Sequence, residues 1–185
     1  MDLVNSYAIV VYVAGPIARF ADRLREDLVP GTGHHSHISI LPPRPLACAP
    51  AEAIEFARPL INQFEPFEVR MGSIQVFEST QVIYLGILNG ALELAAMHDV
   101  LNTGVLAYEE PYRYTPHVTL GQQLQPERFA ELLELSRRRW QDFGEPPLLR
   151  VESATFVQQR GDGKWVDLAE LSLGRVVPAS RLSGG

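Results

Sequence analysis

The chain has 185 residues, 46% hydrophobic and 21% charged, with a formal net charge of −6 and a single cysteine, Cys48. That length carries one domain or two small packed lobes. The acidic balance excludes a protein that coats long nucleic acid by bulk electrostatics, though not a locally basic cleft for a short one. One cysteine excludes an internal disulfide and a cysteine-based metal site, and fits a reducing compartment.

In chain order, Ser6 to Val13 is a continuous β-branched and aromatic run that predicts a central strand. Asp2 precedes this run where a secretory leader would be basic, and Gly15-Pro16 ends it too soon for a membrane span. A cytoplasmic protein with no membrane contact is expected. Gly15-Pro16 opens a helix with Ile17, Phe20, Ala21, Leu24 and Leu28 on one face, ended by Pro30 to Gly33. His35 to Leu41 reads as a strand, and Pro42-Pro43-Arg44-Pro45 as a stiff connector that continues neither ladder nor helix. A helix is predicted from Pro50 to Phe64, with Ile54, Ala57, Leu60 and Ile61 inward, then a strand from Pro66 to Phe77.

The order then recurs. Gln81 to Leu88 is an apolar strand, and Asn89-Gly90 leads into a helix with Leu92, Ala95, Ala96, Val100 and Leu101 on one face. Arg113 to Leu120 is a strand, and a helix runs from Pro126 to about Phe143. Leu148 to Gln158 and Trp165 to Leu173 form a hairpin around Gly161-Asp162-Gly163. Strand, helix, strand, helix, strand thus occurs twice, which predicts a duplicated architecture of two like halves. Residues 1–177 are expected to form this one bilobal domain and 178–185 a frayed tail.

Two phrases share one grammar: His37-Ile38-Ser39-Ile40 and His117-Val118-Thr119-Leu120. In a strand, a histidine and the hydroxyl residue two places on share a face, while the apolar residues point the other way. One such phrase arises by chance at on the order of a few per cent of histidines in an apolar chain. Two, at matching places in two like halves, predict facing imidazoles across a central groove. Facing imidazoles form an acid–base pair near neutral pH, with His37 and His117 as the catalytic candidates. Ser39 and Thr119 can donate hydrogen bonds to the non-bridging oxygens of a phosphate.

Other candidates follow from position. Arg113 has the parity of His117, and Arg44 lies just beyond the first phrase, so either could reach a phosphate. His35 has the parity of His37, and Tyr112 and Tyr114 could stack on a base. His98 reads as structural or exposed, and Arg137-Arg138-Arg139 as the wet face of a helix. A zinc site from His34, His35 and His37 lacks a fourth ligand at a suitable spacing, so no metal and no cofactor are expected.

HISILPP at 37–43 and TPHVTLGQ at 115–122 resemble the paired motifs of the 2H phosphoesterase superfamily, which includes 2′-5′ RNA ligase-like proteins and cyclic phosphodiesterases. The resemblance implies an α+β, pseudo-two-fold bilobal fold, with antiparallel sheets forming a central cleft and helices outside. It implies metal-independent chemistry on 2′,3′-cyclic phosphates or 2′-5′ linkages of nucleotides or RNA ends. His37 and His117 would be acid and base, and Ser39 and Thr119 phosphate holders. Ser39 stands where threonine is commoner. Gly121-Gln122-Gln123 stands where several relatives carry a basic residue, which favours a small substrate over a multiply charged RNA end. The expected partner is a small nucleotide or short RNA end, and a monomer is expected. The rival reading is a non-catalytic protein that binds a nucleotide or RNA end in the same cleft.

Overall fold

A computed structural model describes residues 3–31 and 35–174. The predicted tail at 178–185 and His34 of the zinc reading lie outside them. Eight strands form one antiparallel sheet: β1 (Leu3–Tyr12), β2 (His37–Arg44), β3 (Phe67–Phe77), β4 (Val82–Asn89), β5 (His117–Gly121), β6 (Leu148–Val151), β7 (Ser153–Arg160) and β8 (Trp165–Ser172). Four helices accompany them: α1 (Gly15–Leu28), α2 (Pro50–Asn62), α3 (Ala91–Leu101) and α4 (Phe129–Gln141). No helix among the described residues is long and apolar enough to cross a membrane.

The strand order β6-β3-β4-β5-β2-β1-β7-β8 makes the duplication visible. β1-α1-β2 and β4-α3-β5 are the two equivalent units, and their last strands, β2 and β5, meet at the centre. Later strands cross over to the other unit: β3, after α2, pairs with β4, and β7, after α4 and β6, pairs with β1. The order also dictates curvature. β6 and β7 lie six strand spacings apart, about 29 Å along a flat sheet at ~4.8 Å each. Only Glu152 joins them, and one residue spans at most about 3.6 Å. The sheet must therefore curl, and the helices pack outside it.

The main core fills the space between the outer face and the helices, with Ile9, Val11, Ile38, Ile40, Val118 and Leu120 from the central strands. A smaller apolar group, Ala8, Val10 and Val157 with Tyr12 and Trp165, lies on the other face.

Four expectations change. β2 continues through Pro42 and Pro43 to Arg44 instead of ending at Leu41. The register slips between the pairs Ile9–Leu41 and Tyr7–Arg44, so the prolines sit in a bulge where a missing N–H costs no ladder bond. The buried stripe of α3 is Leu94, Met97, His98 and Leu101, while Leu92 is 84% exposed. That helix is apolar nearly all round, so periodicity alone picks no face. β5 starts only at His117, and 113–116 is irregular. The single strand expected from Leu148 to Gln158 is two strands on distant parts of the sheet, split at Glu152.

Candidate active site

Ile38 of β2 pairs with Val118 of β5. Extending that antiparallel register by one residue sets His37 opposite Thr119 and His117 opposite Ser39. Ile38 and Val118 are fully buried in the core, and the four polar residues lie half-buried on the opposite, inner face. The result is a rectangle with a histidine and a hydroxyl alternating around it. The two histidines occupy one diagonal, about 7–8 Å apart at Cα.

Both imidazoles are held alike. His37 Nδ1 donates to the His35 carbonyl at 2.9 Å, and His117 Nδ1 donates to the Thr115 carbonyl at 2.7 Å. A carbonyl only accepts, so Nδ1 carries the proton of each neutral ring and Nε2 is its basic nitrogen.

The walls differ. On the β5 side the His117 ring lies edge-on to Phe77 at 4.9 Å and to Tyr84 at 5.2 Å, and those two stack on each other at 4.1 Å. Burial pushes the His117 pKa below the usual imidazole value, against the opposing effect of its bond to the Thr115 carbonyl. Gly86 faces His117 across the ladder, and the space a side chain would take there holds the Gln75 amide. Tyr84 Oη donates to Gln75 Oε1 at 2.9 Å, which turns the Gln75 NH₂ over Gly86. On the β2 side Tyr12 faces His37 and donates from Oη to Asp167 Oδ1 at 2.5 Å. Burial, then the bond to Asp167, raises the Tyr12 pKa and keeps it a neutral donor. His35 stands edge-on to Tyr12 at 6.3 Å and is exposed at the rim.

Of the predicted basic residues, Arg44 is turned away from the groove and Arg113 lies outside the strand. Arg44 is 3% exposed and spends its donors on Pro42 O, Asn102 Oδ1, Leu106 O and Glu110 Oε1. The bulge at Pro42-Pro43 turns it into the protein. Arg113 precedes β5, so its strand parity does not apply; it is exposed and has no ion pair among the described residues. Tyr114 lies flat on His98 and donates from Oη to the Ser39 carbonyl at 2.9 Å, so it touches the site from behind. His98 is buried between Asp99 and Glu110, as a structural histidine. A cavity of about 410 Å³ between α1 and α4 contains Phe20, Phe143 and Arg139, away from the four polar side chains. Arg139 is already paired there with Asp27. Sequence reasoning missed Tyr12, Gln75, Phe77 and Tyr84. Their strand parity was legible, but their pairing with the phrases depends on the sheet order.

A sequence profile described as the 2′-5′ RNA ligase superfamily matches residues 13–163, both phrases included. The chain belongs to the 2′-5′ RNA ligase superfamily. It is 26% identical over 143 residues to a provisionally named phosphoesterase of Bacillus cytotoxicus, covering 73% of this chain and 78% of that one. It is 24% identical over 176 residues to a similarly named protein of Bacillus mycoides, covering 90% and 96%. Among solved structures, Escherichia coli LigT complexed with NADP⁺ superposes with a TM-score of 0.61 at 15% identity, covering 95% of this chain and all of that one. TT0787 of Thermus thermophilus gives 0.61 at 17% identity, covering 90% and 97%. The superfamily expected from the two motifs and its α+β fold are thus both shown, the fold by structures too distant in sequence to speak for anything else.

Proposed function

We propose that the chain is a phosphoesterase that opens 2′,3′-cyclic phosphates or cleaves 2′-5′ phosphodiesters of nucleotides or short RNA ends, with His37 and His117 as a catalytic pair. The observation that carries this reading is the matched tethering of the two rings. Each Nδ1 is committed to the carbonyl two residues back, and the two histidines stand at diagonal corners of one rectangle. Escherichia coli LigT has been solved with 3′-AMP and with ATP, which supports a small nucleotide ligand here. A monomeric cytoplasmic enzyme is part of the same reading.

In hydrolysis of a 2′,3′-cyclic phosphate, neutral His117 accepts a proton at Nε2 from water as the water oxygen bonds to phosphorus. The bond from phosphorus to one ribose oxygen breaks in line, and that oxygen takes the Nε2 proton of His37, which starts as imidazolium. Ser39 and Thr119 donate to the non-bridging oxygens as charge builds there. His117 is the base because burial favours its neutral form, which leaves His37 as the acid.

The test is turnover of 2′,3′-cyclic nucleotides and a 2′-5′ dinucleotide by wild type, His37→Ala and His117→Ala. Each substitution should cost roughly 10²–10⁴-fold. Wild-type rates in both variants would overturn the proposal. Saturable binding without product, even after long incubation, would replace it with the binding-protein reading.

A further inference from the structure

The seam between β2 and β5 is thin. One ladder pair, Ile38 with Val118, joins the halves there, whereas β1–β2 and β4–β5 pair over several residues. Backbone bonds alone therefore do little to fix the distance between the two histidine strands. Two side chains reach over the seam instead. Arg25 of α1 donates from Nη1 to the Thr119 carbonyl at 2.8 Å, and Tyr114 donates from Oη to the Ser39 carbonyl at 2.9 Å. Each starts in one half and ends on the hydroxyl residue of the other half's phrase.

The two braces are related by the duplication. The carbonyl of Arg25 accepts from the residue that caps the C-terminus of α1, Val29; the carbonyl of His98 accepts from the residue that caps α3, Asn102. Arg25 and His98 thus hold the same place in equivalent helices. α1 packs on β5 and α3 on β2, each over the histidine strand of the other half. Arg25 spans the gap itself. His98 does so through Tyr114, whose ring stacks on it at 4.1 Å and 9°. One turn back along α1, Asp22 Oδ1 accepts from Ser36 N at 2.9 Å and from Ser36 Oγ at 2.5 Å, immediately before His37. α1 therefore grips both histidine strands at once. A cation that is only 8% exposed gives up most of its hydration, and here its return is a backbone carbonyl beside the site.

We infer that Arg25 and Tyr114, the latter seated on His98, are positioning residues that set the separation of His37 and His117 by bracing the Thr119 and Ser39 carbonyls across the β2–β5 seam. The inference rests on the acid–base reading above. In-line transfer needs both imidazoles placed to within a fraction of an ångström, and a misplacement of about 1 Å can cost on the order of 10²-fold.

The experiment compares Tyr114→Phe, Arg25→Lys and Arg25→Met with wild type, each first checked for cooperative thermal unfolding. It reads kcat and KM for 2′,3′-cyclic AMP and the imidazole ¹H–¹⁵N signals of His37 and His117, with and without inorganic phosphate. Tyr114→Phe removes one hydroxyl; it should fold, lose kcat by roughly 10–100-fold with KM little changed, and shift both imidazole signals. Arg25→Met should do the same, and Arg25→Lys, which keeps a donor, should recover part of the loss. Folded Tyr114→Phe and Arg25→Met proteins with wild-type kcat and unshifted imidazoles would overturn the inference. If Arg25→Met does not fold, Tyr114→Phe decides. Should His37→Ala keep full turnover, the acid–base reading falls instead. The imidazole signals then judge the braces alone, shifted in their favour and unshifted against them.

Discussion

Ile38 and Val118 face each other at the centre of the sheet, and His37, Ser39, His117 and Thr119 each lie one position from that pair. Both side chains are fully buried in the main core, so the same pair that anchors the core also fixes the register of the four polar residues above it. Ile38→Ala should cost about 2–5 kcal/mol in urea unfolding, the range for truncating a buried isoleucine. Ile38→Leu, which conserves volume, should cost less than about 1.5 kcal/mol. Both should lower turnover by more than their stability loss explains, because the register of His37 against Thr119 rests on this contact. Full activity in folded Ile38→Ala would separate the core from the site.

His117 gives a pH prediction with a definite sign. Burial lowers its pKa from 6.5, so between 6.5 and the lowered value the unfolded chain binds a proton that the folded protein does not. Stability is therefore unaffected by this group above pH 6.5, falls as pH drops through that window, and levels off below it. The same shift keeps the base neutral to lower pH, so the acidic limb of kcat/KM should have its midpoint below 6.5. Phe77→Ala opens one wall around the ring to water and should move that limb upward. A limb that stays in place would mean Phe77 does not exclude water from His117.

Much of this was legible in the sequence because the relevant patterns are local. The alternation in His37-Ile38-Ser39-Ile40 and His117-Val118-Thr119-Leu120 fixes which side chains share a face, and the recurring order of elements announced the duplication. What depended on long-range pairing was not. Arg44 looked free to reach a phosphate until the bulge at Pro42-Pro43 turned it inward. Arg113 had the right parity on a strand that does not extend that far. Arg25 carries no local signal, because nothing in the sequence says that α1 lies over β5 and not over its own β2. The split at Glu152 was invisible because one residue carries the chain around the curl of the sheet.

The buried cluster behind the site predicts an asymmetry between two neighbours. Glu110 Oε1 accepts from Arg44 Nη2 at 2.5 Å and lies 3.0 Å from His98 Nε2. Burial pulls the Arg44 pKa down, and Glu110 is the main opposing influence. Glu110→Ala leaves a buried guanidinium without its carboxylate and should cost about 3–5 kcal/mol. Arg44→Met combined with Glu110→Ala removes both charges and should recover a good part of that loss. Chemical denaturation of the two single variants and the double variant checks this. Equal destabilisation in Glu110→Ala and in the double variant would mean that packing, not charge, sets the cost.

Gly86 tests the wall beside His117. An added Cβ would come within 2.8 Å of Gln75 Nε2, the far end of a flexible side chain, and 3.4 Å from the Ser73 carbonyl. Gly86→Ala should therefore fold, with the Gln75 amide pushed off Tyr84 and out of the space over Gly86. The present hydrogen bond uses Gln75 Oε1 for Tyr84 and leaves the NH₂ directed across the ladder position of His117. If that NH₂ donates to bound substrate, Gly86→Ala and Gln75→Ala should raise KM for 2′,3′-cyclic AMP by similar factors, on the order of 5–10-fold for one lost hydrogen bond. The double variant should then do no worse than either alone. kcat should move less, since neither residue touches the proton-transfer atoms. KM values unchanged in both single variants would remove Gln75 from the substrate contacts and leave Phe77 and Tyr84 as the working part of that wall.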